Sequence, residues 1–215
     1  ISLYLLILPG LFIAVVLWRT LPEFPSTGSN IGRFRITREL FLISVTFGLP
    51  FMLFRGFLIF LPTHLVNSGS TLTEAGQISA LMLLVGSLAQ PLGGVLYDRI
   101  GGRTVFGGAA LLAGAALWLF LQDAWPSPLL YVVLIGGAVT ATFPVAMATS
   151  SAAAVDDNVG MSVGVMFGIS GILSAVTPAL TGWIADQVGL EMAFQWLIVF
   201  ALAGFLMSFT LPKKS

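Results

Sequence analysis

The sequence has few charged residues, no cysteine and one histidine, and each shortage narrows the classes of protein it can be. Only 8% of its 215 residues are charged, whereas a soluble domain carries roughly 25%. Nine basic and nine acidic residues cannot cover a water-soluble fold of this length. The net charge of zero does not point to nucleic-acid binding. The lack of cysteine excludes disulfides, thiolate chemistry and cysteine metal sites.

What the sequence does contain is a series of long apolar runs, with 57% hydrophobic residues and a mean hydropathy of +1.01. A helix needs about 20 mostly apolar residues to cross a bilayer, because its backbone must satisfy its own hydrogen bonds there. Six charge-free intervals reach or approach that length: 1–18, 75–97, 104–122, 124–155, 158–185 and 192–212. A seventh, at 40–66, is interrupted only by Arg55. Seven membrane spans are therefore predicted, with the lipid bilayer covering most of the surface.

The basic residues support this count of spans. If the chain alternates across the membrane, eight of the nine Lys and Arg residues fall on one side. The loops on the other side, near 67–74, at Asp123 and at 186–191, contain neither. Short loops rich in Lys and Arg stay cytoplasmic, which predicts a cytoplasmic C-terminus. The polar stretch 19–39 is predicted to be a cytoplasmic linker. Because Ile1 lies inside an apolar run without an initiator Met, we expect the chain to be a fragment.

A short motif occurs twice. Gly94, Asp98 and Gly101 end one span on the basic side, and Gly182, Asp186 and Gly189 end another on the opposite side. Both copies fit Gly-x-x-x-Asp-x-x-Gly, and Asp186 lies 88 positions after Asp98, three spans further on. Inverted three-helix repeats, which are typical of secondary transporters, would produce this pattern.

The motif has a physical rationale in both copies. The first Gly permits close helix approach, the Asp can accept hydrogen bonds from a neighbouring helix N-terminus, and the last Gly permits a tight turn. Together they would form a short loop held by a breakable electrostatic latch. For Asp186 alone, an ordinary helix end with an interfacial Asp and a turn Gly remains an equal alternative.

The longer first copy, with Gly94, Asp98, Arg99, Gly101 and Arg103, resembles the cytoplasmic loop signature of the major facilitator superfamily. The sequence departs from that signature at Gly102, where the family often has Arg or Lys. The resemblance implies an all-α transmembrane fold: the six-helix C-terminal half of a twelve-helix carrier, plus one preceding helix. Residues 1–18 would then be the last helix of the N-terminal half, 19–39 the linker, and 40–212 the C-terminal half, made of two inverted three-helix repeats.

The same resemblance implies a function. It is secondary active transport of a small-molecule substrate by alternating access, coupled to protons, in a bacterial inner or plasma membrane. The partner would be the N-terminal half of the same transporter, which this chain does not contain. No cofactor is implied.

Arg55 is the main candidate for substrate binding. It is the only formally charged residue deep within a predicted span, and a buried cation there costs at least about 2.5 to 3.5 kcal/mol. Helical spacing places Ser44, Gly48, Phe51 and Arg55 near one face. By resemblance this helix lines the central cavity, so Arg55 and Phe51 would contact an anionic or carbonyl-bearing substrate, or Arg55 would pair with a carboxylate of the N-terminal half. An Arg that snorkels, or that bonds to backbone carbonyls near Pro50, is the equal alternative.

Further candidates carry polar groups into other spans. Gln90 is a proposed substrate contact, and an interhelical hydrogen bond is the alternative. Thr140 is another proposed contact, and the alternative is that its hydroxyl bonds back to its own helix. Pro144 should break its helix, since it lacks an N–H group. His64 could take part in proton coupling, although a residue at the membrane interface fits its place better.

Four glycines in the sixth predicted span, Gly160, Gly164, Gly168 and Gly171, are predicted to serve helix packing.

A seven-helix receptor or photoreceptor is the alternative function. No Lys lies within a span to bind retinal, and the inverted repeat has no role in such a protein. An enzyme is not predicted, because no zinc-protease motif, Gly-x-Ser-x-Gly elbow or intramembrane aspartate pair occurs.

Overall fold

The computed structural model describes residues 12, 15–16, 19–20, 36–122, 127–154 and 158–211. Two units are distinguished, residues 1–34 and 35–215. In the first unit the described residues are helical, and the Thr20 hydroxyl donates to the Val16 carbonyl. Most of the predicted first span and linker lies outside the described residues, so their boundaries stay predictions.

The second unit consists of α-helices throughout its described part. They are α1 (Arg38–Asn67), α2 (Leu72–Ile100), α3 (Gly102–Leu121), α4 (Leu129–Thr140), α5 (Thr142–Ala152), α6 (Val159–Val188) and α7 (Leu190–Ser208). Six helices in this part are long and apolar enough to cross a membrane when α4 and α5 are taken together as one span. The prediction of an all-α transmembrane fold is confirmed, and the six spans at 40–212 correspond to these six helices.

Local sequence signals set several helix boundaries. Thr71 caps α2 in a capping box, in which its hydroxyl accepts from the Glu74 amide and the Glu74 carboxylate accepts from the Thr71 amide. Thr37 caps α1 by accepting from the Leu40 amide at 3.1 Å. The predicted break near Pro144 is also present. α4 ends at Thr140 and α5 begins at Thr142, because Pro144 has no N–H to donate to the Thr140 carbonyl.

The helices form two groups of three spans with matching contacts. The first group is α1, α2 and α3, and the second is α4–α5, α6 and α7. α1 packs against α6 and α7 of the second group, while α4 packs against α2 and α3 of the first. The third helices, α3 and α7, pack against each other. The first helix of each group thus packs against the second and third helices of the other group. A pseudo-twofold axis between two repeats produces this pattern.

The same symmetry holds for individual residues. Gly48 on α1 faces the backbone of Ser170 on α6, and Gly136 on α4 faces the backbone of Met82 on α2. Gly136 lies 88 positions after Gly48, and Ser170 lies 88 positions after Met82. This is the spacing of the two motif copies, so the repeat seen in the sequence extends to the sites where the helices cross.

The two motif copies emerge at opposite ends of the bundle. Arg103, at the start of α3, lies over the Phe209 ring just after α7, and a surface cavity joins Arg38 and Glu39 to Thr210 and Leu211. We call this the basic end. At the other end, called the opposite end, a cavity joins the last turn of α1 to the turn between α6 and α7. The two repeats are therefore inverted, as predicted.

Candidate functional site

Arg55 lies near the middle of α1 on a face that no other described helix covers. Its side chain is exposed, as is that of Ile59 one turn later. It is 17 residues from Arg38 and 12 from Asn67, or about 26 and 18 Å along the helix axis. A cation at this depth must meet water, a ligand or another protein surface in a membrane.

The face of α1 that carries Ser44, Gly48, Phe51 and Arg55 is covered by another helix at its Ser44 end. Ser44 is buried, and its carbonyl accepts a hydrogen bond at 2.8 Å from the hydroxyl of Ser170 on α6. Gly48 is covered by the same helix. Of the residues that helical spacing places near one face, Ser44 and Gly48 are therefore covered, because α6 crosses α1 at that point, whereas Arg55 is exposed.

Aromatic rings surround the position one turn before Arg55. Phe51 stacks between Phe47 and Phe54, with ring centroids 5.8 and 5.6 Å away. Phe143 of α5 meets the Phe51 ring edge to face at 5.2 Å, and Phe167 of α6 lies 6.1 Å from Phe143. Phe51, Phe143 and Phe167 are half-buried. Arg55 is thus next to an apolar, aromatic surface built from three helices.

Phe143 and Phe167 were not found by sequence reasoning. The only signal for Phe143 is that it directly precedes Pro144, at the break between α4 and α5. Helical spacing alone cannot show that rings on α1, α5 and α6 converge, because that depends on how three separate helices cross.

Thr140 does not fit the predicted role in substrate binding. Its side chain is buried, with 7% of its surface exposed. The hydroxyl lies 2.6 Å from the Gly86 carbonyl on α2 and 2.8 Å from the Gly136 carbonyl on its own helix. Both oxygens are hydrogen-bond acceptors, so the single hydroxyl proton is already used. Thr140 holds α4 against α2.

Gln90 and His64 lie apart from each other. Gln90 is half-buried on α2, and its predicted contact with substrate stays a prediction. His64 is in the last turns of α1, where its ring lies 5.2 Å from that of Phe120 and 5.5 Å from that of Phe194. This places His64 at the opposite end of the bundle, away from Arg55.

The turns of the two motif copies have nearly the same geometry. Gly101 joins α2 to α3 with φ 80° and ψ 159°, and Gly189 joins α6 to α7 with φ 91° and ψ 159°. Their amides donate to the Tyr97 and Ala185 carbonyls, respectively. Only glycine adopts this backbone region readily, so a residue with a side chain would be strained at the last position of either copy.

The other motif residues are less alike. Asp98, Arg99 and Asp186 are exposed at the helix ends. A Cβ on Gly182 would touch the Phe60 ring of α1, whereas one on Gly94 would meet nothing within 4 Å. Close helix approach on α2 occurs instead at the preceding residue. A Cβ on Gly93 would overlap the Ala141 carbonyl at the break between α4 and α5.

Arg103 has a contact that the motif did not predict. Its guanidinium carbon lies 4.9 Å from the Phe209 ring centroid, which is within the range of a cation–π interaction. Phe205 in turn packs edge to face on Phe209. Arg103 therefore links the start of α3 to the end of α7, at the basic end.

The glycines predicted to serve helix packing in α6 do not pack against any described helix. Gly160, Gly164, Gly168 and Gly171 are exposed, and an added Cβ would meet nothing within 4 Å at any of them. The side of α6 that packs on the bundle instead carries small polar residues and one methionine: Ser162, Met166, Ser170, Ser174, Thr177 and Thr181. Packing by these glycines would need a surface outside the described residues.

Acidic side chains are absent from the middle of the described spans. Glu39, Glu74, Asp98, Asp186 and Glu191 all lie within three residues of a helix end. Arg55 is thus the one charged group at mid-depth in this part of the chain. Its position favours a negatively charged or carbonyl-bearing ligand over a cation.

The chain is similar to a protein family and to individual proteins whose sequences are known. The sequence profile of the Major Facilitator Superfamily matches residues 40–215. A probable nitrate/nitrite antiporter of Thermus thermophilus, NarK1, is 33% identical over 157 residues, which are 66% of this chain and 34% of that protein. A probable nitrate/nitrite transporter of Mycobacterium tuberculosis, NarK2, is 35% identical over 124 residues, which are 54% of this chain and 30% of that protein. The chain thus spans about a third of the length of these curated relatives.

Among solved structures, the inward-open xylose transporter XylE from E. coli matches with a TM-score of 0.65 and 16% identity. The match covers 83% of this chain and 48% of that one. At this identity the likeness shows the fold alone. The family match and the two relatives described as nitrate/nitrite transporters favour the carrier prediction over both the receptor alternative and an enzyme.

Proposed function

The chain belongs to the Major Facilitator Superfamily, and on this premise we propose that it forms one six-helix half of a secondary carrier for a small inorganic anion. The relatives described as nitrate/nitrite transporters suggest nitrate or nitrite as the substrate. The membrane would be the bacterial plasma membrane, with the C-terminus on the cytoplasmic side.

The position of Arg55 is the observation that carries this proposal. It presents a fixed positive charge at mid-depth on an uncovered face, and no described acidic residue lies at the same depth. A guanidinium group can donate two parallel hydrogen bonds to a planar oxyanion. The neighbouring rings of Phe51 and Phe143 would exclude water and strengthen that interaction.

The uncovered faces of α2 and α6 support the presence of a second half. In α2 only Ala75, Met82, Gly86 and Gly93 are buried, and large apolar residues such as Leu88 and Leu92 are exposed. The glycine face of α6, defined by Gly160, Gly164, Gly168 and Gly171, is open as well. We propose that these faces contact six further helices, and that the two halves rock about the site to expose it alternately.

Coupling to protons, which the family resemblance implies, is included in this proposal. No carboxylate lies at mid-depth in the described spans, so a protonatable group near the substrate would have to come from the other half. An alternative is exchange of one anion for another, which needs no proton.

The test is anion transport by the full-length carrier in proteoliposomes. Wild type should take up labelled nitrate, and replacing Arg55 with Ala should lower uptake by about tenfold to a hundredfold. This is the size expected for losing a hydrogen bond to a charged group. Arg55→Lys should retain intermediate activity, because it keeps the charge but not the two parallel hydrogen bonds. Nitrate uptake is then measured under two conditions, with an imposed pH gradient or with nitrite inside the liposomes. Stimulation by the pH gradient indicates proton coupling, and stimulation by internal nitrite indicates exchange of anions.

Arg38→Gln is the matched control, since Arg38 is an exposed arginine at the end of the same helix. It should leave nitrate uptake within twofold of wild type. Equal nitrate uptake by wild type and Arg55→Ala, at equal amounts of folded protein, would remove Arg55 from the site. Absence of nitrate and nitrite transport by folded wild-type protein would refute the anion proposal.

A further inference from the structure

Two cavities meet at the turn between α6 and α7, at the opposite end of the bundle. The first has a volume of about 400 Å³ and is lined by Trp183, Ile184, Gln187, Val188 and Trp196. The second has a volume of about 340 Å³ and is lined by His64, Asn67, Ser68 and residues 188–192. Val188 lines both, so the cavities are adjacent. We call them the tryptophan groove and the polar cavity.

The tryptophan groove is suited to a hydrocarbon chain at the edge of a bilayer. Trp183 and Trp196 are 64% and 59% exposed. They lie five residues before the end of α6 and six after the start of α7, which is about 8 to 9 Å from the turn along each helix. Tryptophan is enriched at this depth, where its ring meets both acyl chains and headgroups. Apart from Gln187, the lining side chains are apolar.

The polar cavity is lined by one acid, one histidine and neutral hydrogen-bonding groups, with no Lys or Arg among its lining residues. Glu191 is exposed in the first turn of α7, and the Asn67 amide faces the same space. An anionic headgroup would meet the Glu191 carboxylate, and His64 is the one lining side chain that can carry a positive charge. A headgroup that carries an ammonium group would satisfy the carboxylate, and the Asn67 amide can donate to its phosphate.

We propose that the tryptophan groove and the polar cavity together bind one phosphatidylethanolamine molecule from the leaflet at the opposite end. Its ammonium group pairs with Glu191, its phosphate lies near Asn67, and one acyl chain lies between Trp183 and Trp196. The apolar and polar parts of the site meet at Val188, as the two parts of a phospholipid do at its glycerol. This site is separate from Arg55, so its test does not depend on the transported substrate.

Native mass spectrometry of the full-length carrier tests this directly. Phosphatidylethanolamine, phosphatidylcholine and phosphatidylglycerol with identical acyl chains are added separately, and the retained lipid is measured. We expect phosphatidylethanolamine to be retained roughly threefold more than phosphatidylglycerol, which has no cation to pair with Glu191; this is the size of effect given by an exposed ion pair. It should also be retained more than phosphatidylcholine, whose quaternary ammonium group has no N–H to donate to the carboxylate. Glu191→Gln should abolish that preference, and Trp183→Ala with Trp196→Ala should lower retention of all three lipids.

Two controls match these variants. Glu74→Gln removes a carboxylate at the same end but keeps a residue that can complete the capping box, and Trp118→Ala removes an exposed tryptophan of α3 outside the groove. Both should retain the wild-type preference. Equal retention of the three lipids by wild type, or a preference that survives Glu191→Gln, would overturn the proposal.

A second measurement does not need a disruptive variant. Phosphatidylethanolamine with brominated chains should quench tryptophan fluorescence in wild type, and Trp183→Phe with Trp196→Phe should reduce the quenched fraction. If those two changes leave the quenched fraction unaltered, no acyl chain occupies the groove and the assignment is wrong.

Discussion

Two neighbouring glycines on α2 lie in opposite surroundings. A Cβ on Gly93 would overlap the Ala141 carbonyl, while one on Gly94 would meet nothing within 4 Å. Gly93→Ala should therefore push α2 away from the break between α4 and α5. Overpacking of this kind costs about 1 to 3 kcal/mol, so the melting temperature of the purified protein should fall clearly.

Gly94→Ala is the matched control for that change, since it is one position away on the same helix. Alanine is favoured over glycine inside a helix by up to about 1 kcal/mol, so Gly94→Ala should melt at the wild-type temperature or slightly above it. Similar melting temperatures for the two variants would show that the close contact at Gly93 is not present.

Thr140 gives a second residue-scale prediction, which separates a structural role from a role in binding. Thr140→Val removes the hydroxyl between α4 and α2 but keeps the side-chain shape. Hydrogen bonds between membrane helices contribute on average about 0.6 kcal/mol, so a small loss of thermal stability is expected. The apparent KM for transport should stay unchanged.

Thr140→Ser, which keeps the hydroxyl, should restore most of that stability. If the KM of Thr140→Val instead rose severalfold at unchanged stability, Thr140 would belong to the substrate site after all.

At the scale of the elements, the two glycine turns are equivalent parts of the repeat. Gly101 and Gly189 both have φ values near +85°, at 80° and 91°, with ψ at 159°. A side chain in this region costs about 1 to 3 kcal/mol. Gly101→Ala and Gly189→Ala should therefore destabilise the protein by similar amounts in thermal unfolding.

Gly108→Ala is the reference for both changes, because Gly108 is exposed inside α3 and an added Cβ has open space. Like Gly94→Ala, it should melt at the wild-type temperature or slightly above it. Clearly unequal losses for Gly101→Ala and Gly189→Ala would show that the two turns are not equivalent.

The elements also show what the sequence can and cannot predict. Spans were predictable because lipid requires long apolar helices, and the break at Ala141 followed from Pro144. The burial of Thr140 and Ser44 was not predictable, since it depends on which helices cross there. The open glycine face of α6 shows the same limit: spacing identifies small residues but not the surface that meets them.

For the candidate site, the sequence identified Arg55 and Phe51 from charge and helical spacing. It did not identify Phe143 or Phe167, whose rings come from α5 and α6. A single helix defines a face, but the composition of a cavity depends on the relative placement of several helices. Only the repeat linked distant parts of the sequence, because residues 88 positions apart occupy equivalent places at two different helix crossings.

At the scale of the whole molecule, the inverted arrangement predicts opposite accessibility for the two motif turns. The chain contains no cysteine, so a single cysteine introduced at an exposed position is the only thiol within it that a maleimide can label. Thr104, in the first turn of α3, is near the Asp98 turn, and Gln187 is near the Asp186 turn. In intact cells a membrane-impermeant maleimide should label Gln187→Cys, because the loops at that end lack Lys and Arg.

Thr104→Cys should react only after the membrane is permeabilised, since the basic loops are retained in the cytoplasm. Ser68→Cys serves as the control for the opposite end, because Ser68 is exposed beside the α6–α7 turn, and it should behave like Gln187→Cys. The reverse pattern of labelling would invert the proposed orientation but keep the repeat. Labelling of Thr104→Cys and Gln187→Cys from the same side would contradict the repeat itself, because three crossings separate their turns.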